Sequence, residues 1–471
     1  MALPRSADKS AEFATAPTFG LIVKYSIPTI VGMLVNALYV LTDRVFVGNL
    51  GGGEGQLGIA GINIAMPVTT IIFAVAMFAG AGAGANISLS LGRGERDKAE
   101  KYIGNGLVMG AAVALVLSVL FIVFRRPILE LFGATGEASK VLPYAEQYLT
   151  VILIGTTINT IGFCMSRFVL AQGFTTVSMV SQILGVVVNI VLDALFIFVF
   201  RWGVAGSAWA TVIAQTASAL FLVYYFRRGS MPLAIRLKHL KPDWEAIRRI
   251  ASIGVSPGSL QLAMAFVQIV LNNSLKNYGE VAISALSVVN AVSAVILMPI
   301  FGINQGVQPI MGFNYGAGHF HRVRKILLQA IVIAVCLMSA FWIFLMLGAE
   351  HLVRLFGAEN AGLLQLGPQA IRMYLAALPL VGFQVISANY FQSVGKAGYS
   401  FVLTQSRQVL ILLPLVLILP RFMGMNGVFW SGAIADCASA VLTAVFLAIE
   451  LRKLSAQAQM SQAEAPATEP T

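Results

Sequence analysis

The chain has 471 residues, 58% of them hydrophobic and only 11% charged, with a formal net charge of +11. A soluble domain carries about 25% charged residues, so water is not the main solvent of this chain. The positive charge lies in short clusters between long apolar runs rather than along one helix face, which excludes a nucleic-acid partner.

Residues Met1 to Pro17 are polar and lack the apolar core of a signal peptide. They open a cytoplasmic tail over 1–19. Runs of about 20 apolar residues, enough to cross the hydrocarbon, then follow in two sets of six. The first set lies at 20–48, 57–90, 102–124, 142–170, 177–200 and 204–226. The second lies at 251–275, 281–312, 326–347, 370–394, 400–420 and 427–450. The fold class is therefore an all-α integral membrane protein of twelve transmembrane helices. It divides into a six-helix lobe over 20–228, a cytoplasmic linker over 229–249 holding Pro232 and Pro242, and a second lobe over 250–453. The Ala/Gln/Glu-rich segment 454–471 reads as a disordered cytoplasmic tail.

The halves are old copies of each other. Leu131-Phe132-Gly133-Ala134 recurs as Leu355-Phe356-Gly357-Ala358, 224 residues later. The same spacing lays Gly92-Arg93-Gly94 on Gly316-Ala317-Gly318 without a gap. Six spans per copy give both the same orientation, so the expected relation is a pseudo-two-fold axis along the membrane normal, with the transport path between the halves. With the N-terminus inside, 20 of the 31 Lys and Arg residues fall in cytoplasmic segments and 8 outside. That bias places both termini in the cytoplasm.

Charge inside a bilayer costs about 2.5–3.5 kcal/mol per residue even on insertion scales, so each case needs a reason. Asp193 sits in the middle of the fifth span, and Asn189, four residues earlier, shares its helix face. One reading makes Asp193 a structural polar anchor, hydrogen-bonded to a neighbour or paired with Arg44 or Arg167. The other makes it a carboxylate that exchanges a proton or Na⁺, since holding both at once is disfavoured. Asp43, near the end of the first span, is the second N-terminal acid. Its depth differs from that of Asp193, so the two do not read as a dyad. Asp436, followed by the small-residue run Cys437-Ala438-Ser439-Ala440, reads as structural, and Arg407 as snorkelling toward the cytoplasmic side. Aligning the copies puts Asp43 on Asn272 and Asp193 near Pro414, so ion coupling belongs to the N-terminal half. Cys164, Cys336 and Cys437 read as small buried hydrophobes. His239, His319, His321 and His351 lie in polar segments, so no intramembrane metal site is expected. Gly80 to Ala85 allows close helix approach.

Thr42-Asp43-Arg44-Val45-Phe46-Val47-Gly48, Leu91-Gly92-Arg93-Gly94, Leu170-Ala171-Gln172-Gly173, Asn189-x-x-x-Asp193 and Gly203-Val204-Ala205-Gly206-Ser207-Ala208, in this order and spacing within a six-plus-six repeat, resemble the multidrug and toxic compound extrusion (MATE) transporters. The resemblance covers about residues 20 to 453. It is nearest to the DNA-damage-inducible-type branch that includes the staphylococcal multidrug exporter, whose functional acids lie in the N-terminal lobe. The vibrio-type branch uses acids in spans seven and ten. Here those spans offer only Gln261, Gln268, Asn272 and Asn273, then Gln384, Asn389 and Gln392.

The resemblance implies a secondary active exporter in a bacterial cytoplasmic (inner) membrane. It would act by H⁺ or Na⁺ antiport on small amphipathic cationic drugs and function as a monomer. The implied cation-coupling residues are Asp43, Asn189, Asp193 and Thr211, which are also where Na⁺ would bind; no other metal, no further cofactor and no catalytic residue is implied. Candidate drug-lining residues are Met33, Asn36, Tyr39, Met66, Phe73, Met264, Gln268, Met298 and Gln384, a set rich in adaptable apolar and amide side chains. A lipid-linked or polysaccharide flippase of the same superfamily is the alternative. Such proteins usually carry more spans and a strongly basic cavity, whereas only Arg44, Arg167 and Arg407 reach membrane depth here. An intramembrane enzyme would need a converging His, Ser or acid pair.

Overall fold

A computed structural model describes residues 9–48, 50, 54–134, 140–228, 231–357 and 361–463. The described residues form helices and turns, with no strand among them. In chain order they are α1 (Lys9–Thr15), α2 (Thr18–Gly48), α3 (Glu54–Gly92), α4 (Arg96–Val123), α5 (Arg125–Leu131), α6 (Leu142–Ala171), α7 (Thr175–Ala194), α8 (Gly203–Arg227) and α9 (Trp244–Lys276). Then come α10 (Glu280–Gly316), α11 (Phe320–Gly357), α12 (Ala361–Tyr374), α13 (Leu378–Ser393), α14 (Ala397–Gln405), α15 (Leu413–Ile418), α16 (Pro420–Met423) and α17 (Met425–Ala463). Eleven helical stretches are long and apolar enough to span a bilayer, and the bent pair α12–α13 brings the count to twelve.

Polarity is inverted relative to a soluble bundle. On α4, Val116 and Val123 are 65% and 66% exposed, while Asn105 and Ser118 are buried. Hydrocarbon solvates apolar side chains as well as a protein core does, so polar groups collect inside where they find partners. The same inversion corrects the cysteines. Cys164 is buried as expected, but Cys336 and Cys437 are exposed, because an apolar span does not say which face of its helix looks inward.

The tenth span departs from the continuous helix expected over 370–394. It breaks between Tyr374 and Leu378 with a 45° bend, and Pro379 sits in the first turn of α13. Proline there lacks the N–H that an uninterrupted helix would need. The eleventh span widens into a π-helical turn at Ser406–Leu412, and the fifth into another at Leu195–Val199. At the C-terminus, α17 continues through Ala463, ten residues into the segment 454–471 expected to be disordered. Alanine and glutamine there are good helix formers. Residues 464–471 and 1–8 lie outside the described residues.

The chain clusters into two compact units. One comprises residues 28–87 and 96–262 with the first nine; the other comprises 10–27, 88–95 and 263–471. In the first, Gly82 and Gly254 allow backbones to touch. A Cβ on Gly82 would lie 2.3 Å from the Ile250 carbonyl oxygen, and one on Gly254 1.9 Å from that of Phe78. The small-residue run of α3 thus packs on α9, as the sequence suggested. The linker is bolted to α4 in the same unit. Glu100 accepts from the Ala234 amide (3.2 Å), Lys101 pairs with Asp243 (2.7 Å), and Asn105 accepts from the Asp243 amide (2.7 Å).

The second unit holds the repeat's punctuation. Gly94 and Gly318 take matching left-handed φ angles of 73° and 76° at the ends of α3 and α10, which only glycine adopts at little cost. Beside them, a Cβ on Gly92 would lie 2.0 Å from the Phe313 oxygen, and one on Gly316 2.2 Å from the Leu89 oxygen. The repeated glycines therefore meet each other, and a side chain at either would part the two helices. Of the four-residue motif that also repeats, Ala358 lies outside the described residues. Phe13 of α1 packs edge-on against Tyr25 and Phe313, and Arg322 donates to the Phe13 and Ala16 carbonyls at 3.0 and 2.7 Å.

Candidate functional site

Three helices of the first unit bring the predicted coupling residues together. α7 carries Asn189 and Asp193 one turn apart on its buried face. α8 carries Ser207 and Thr211 one turn apart, both buried. α2 carries Tyr39 and Asp43, again one turn apart. Three i,i+4 pairs thus face one another.

Ser207 Oγ donates to Asp43 Oδ1 at 2.6 Å. The Tyr39 hydroxyl lies 3.1 Å from Thr211 Oγ1, and Asn189 Nδ2 donates to that same oxygen at 3.4 Å. Asp193 is close enough to Asp43 for the two charges to act on each other, and Tyr148 of α6 feels both. This corrects the reading that the two acids lie at different depths. Asp43, near the C-terminal end of α2, meets the end of α7 and the first turns of α8.

The cluster has more acceptors than donors. Both carboxylate oxygens of Asp193 and Oδ1 of Asn189 are buried and receive no well-formed hydrogen bond among the described residues, the Asn189 amide being a nearby donor of looser geometry. Neither Arg44 nor Arg167 is paired with Asp193 among the described residues. Arg44 reaches Met66 Sδ at 3.7 Å, and Arg167 reaches Met77 Sδ at 3.8 Å and lies over the Phe163 ring. Three oxygens short of well-formed hydrogen bonds thus lie beside a second carboxylate. An all-oxygen donor set of this kind suits a hard cation.

The drug-lining candidates divide between the units. In the first, Met33 and Tyr39 are half-buried, while Asn36, Met66 and Phe73 are exposed. Tyr39 is already part of the ion cluster through Thr211. In the second, Met264 is exposed and Met298 half-buried. Two amides there are committed to neighbours. Gln268 donates to Asn272 Oδ1 and accepts from Asn290, each at 3.1 Å. Gln384, buried, donates to the Asp436 carbonyl at 2.6 Å and accepts from Ser439 at 2.8 Å.

Asp436 is paired with Arg407, which corrects the reading of Arg407 as snorkelling. The π-helical turn that carries Arg407 packs on α17, where Asp436 lies. His239 is buried near Asp97 and Glu100 on the linker, but Lys238 and Arg236 each hold one of those carboxylates at 2.6 Å.

Sequence reasoning missed Ser207, Tyr148 and the role of Tyr39. Ser207 had a signal, its position one turn before Thr211. Tyr148 had none, because its nearness to the acids depends on how helices pack.

Eleven or twelve helical stretches long and apolar enough to cross a bilayer, with polar clusters buried among them, define a polytopic membrane protein. The MatE family model matches residues 28–195 and 260–418. The multidrug export protein MepA of Staphylococcus aureus (strain N315) is 28% identical over 441 residues, 92% of this chain and 95% of that protein. MepA of Staphylococcus haemolyticus (strain JCSC1435) is 25% identical over 441 residues, 93% of this chain and 95% of that protein. Among solved structures, MATE in the straight conformation is 25% identical with a TM-score of 0.85, covering 95% of this chain and 99% of that one. MATE in the bent conformation, at 24% identity and TM-score 0.86 over 96% and 99%, shares the fold. The chain belongs to the MatE family of membrane transporters.

Proposed function

We propose that the protein is a multidrug exporter that moves small amphipathic organic cations out of the cell by H⁺ or Na⁺ antiport, with Asp43, Asn189, Asp193 and Thr211 as the coupling site. The observation that carries this reading is the surplus of acceptors around Asp193: a buried carboxylate with no cationic partner among the described residues and only amide and hydroxyl groups beside it favours taking up a proton or a cation. Staphylococcal relatives bearing the name multidrug export protein support the choice of cargo. Exposed Met66, Phe73 and Met264 suit apolar parts of varied ligands.

In this reading the outward-facing protein takes an ion at Asp193, with Asp43 beside it. Ion binding lowers drug affinity, drug leaves outward, and the ion leaves inward. The ion drives the cycle only through different affinity in the two states. Pro28 of α2 supplies a weak point in the ladder above the cluster. The protein acts as a monomer in a bacterial cytoplasmic membrane, with both termini inside. Proteoliposome efflux of a fluorescent organic cation, under an imposed pH or Na⁺ gradient, tests it. Gradient-driven efflux supports the proposal, and flux indifferent to both gradients contradicts it.

A further inference from the structure

Each unit carries a buried aspartate within its membrane helices that invites comparison, Asp193 in the first and Asp436 in the second. Their surroundings are opposite. Asp193 has no cationic partner and no well-formed hydrogen bond to either oxygen among the described residues, whereas Asp436 Oδ1 is held by Arg407 Nε. We infer that Arg407 is a positioning residue that keeps Asp436 permanently occupied, so that the second unit adds no coupling ion although it carries an acid suited to hold one. This inference rests on the coupling role proposed for Asp193.

The groups around Asp436 leave Arg407 without a substitute. Gln384 of α13 donates to the Asp436 backbone carbonyl, not to the carboxylate. Ser439 donates to Gln384 and to that same carbonyl. Tyr374 at the end of α12 is the other ionisable group that feels the pair. With the guanidinium gone, Asp436 would be what Asp193 is now, a buried carboxylate short of a donor. It would then take up an ion of its own.

The repeat supports a dedicated function for the pair. The alignment that matches Gly203 with Gly424, both at φ 58°, lays Arg407 on Val186 and Asp436 on Gln215. The first unit therefore lacks both charges at these places, and the pair is not inherited scaffolding common to both copies. A salt bridge that only held helices together would cost desolvation that apolar packing avoids. One that holds an acid out of the cycle has a reason to persist.

The test is the gradient of pH or Na⁺ at which tetraphenylphosphonium flux reverses in proteoliposomes, which reports ions moved per drug. Arg407→Gln should shift reversal to a smaller gradient, consistent with one more ion per cycle, and Arg407→Gln/Asp436→Asn should return it to the wild-type value. Reversal of a folded Arg407→Gln protein at the wild-type gradient overturns the inference. Should Arg407→Gln not fold, infrared spectra of wild type and Asp436→Asn between pH 5 and 9 decide. The inference expects the same titrating carboxyl bands in both, and loss of a titrating band in Asp436→Asn overturns it. Failure of the coupling role itself would show separately, as gradient-driven flux that survives Asp193→Asn.

Discussion

Ser207 hands a 2.6 Å hydrogen bond to Asp43 across 164 residues of chain. A buried acid on α2 is thereby fixed against α8, one turn from Thr211. Hydrogen bonds to charged groups contribute about 1.5–3 kcal/mol. Ser207→Ala should lower stability by about that amount, read as a reduced melting temperature in detergent. In the Asp43→Asn background the same change should cost less, because the charged acceptor is gone. Equal costs in both backgrounds would show that the bond is incidental.

Thr211 Oγ1 is the junction of the cluster, reached by Tyr39 and by Asn189. Thr211→Ser keeps the hydroxyl and should retain gradient-driven efflux, whereas Thr211→Val, of nearly the same shape, should lose most of it. Comparable efflux from the two variants would assign Thr211 to packing alone.

Much of this cluster was readable from the chain. Asn189 and Asp193 announce themselves as polar residues one turn apart in an apolar span, and the Asp43–Asn272 mismatch between copies pointed to the half in which this polar cluster forms. What was not readable were contacts made between helices. Asp43 to Ser207, Tyr39 to Thr211 and Arg407 to Asp436 depend on helix rotation and depth, which hydropathy leaves open. The break at Tyr374 and the π-helical turn at Arg407 are likewise set by packing. The repeat glycines were visible as letters, but their function is clear only once Gly92 is seen lying on Phe313 and Gly316 on Leu89.

The contact between α3 and α9 leaves no room for a methyl group at Gly254, where a Cβ would lie 1.9 Å from a backbone oxygen. Gly254→Ala should therefore destabilise the protein by at least about 1–3 kcal/mol. Gly20→Ala, with nothing within 4 Å of its Cβ, should be neutral or stabilising by up to about 1 kcal/mol. Thermal melting in detergent compares them, and similar midpoints for the two variants would contradict the close packing.

The linker contact has a pH signature. The hydrogen bond from Lys101, followed by the Ala246 amide, holds the Asp243 carboxyl below its ordinary value. Folded-state depression means the contribution is complete above the unfolded value, about 3.9, and is lost as pH falls through the lower folded value. Protease cleavage within 231–243 should therefore be unchanged from pH 8 to pH 5 and rise only in stronger acid. Asp243→Asn should raise cleavage already at pH 7. Cleavage that climbs between pH 7 and pH 5 would assign the linker's hold to another group.

The central claim is that Asp193 carries the coupling ion. Efflux of a fluorescent organic cation from proteoliposomes, driven by an imposed pH or Na⁺ gradient, measures it in wild type and in Asp193→Asn. Asparagine keeps the size of the side chain and removes the charge, so the protein should fold and insert while gradient-driven efflux falls to the background of empty vesicles. Undiminished gradient-driven efflux from Asp193→Asn would contradict the account.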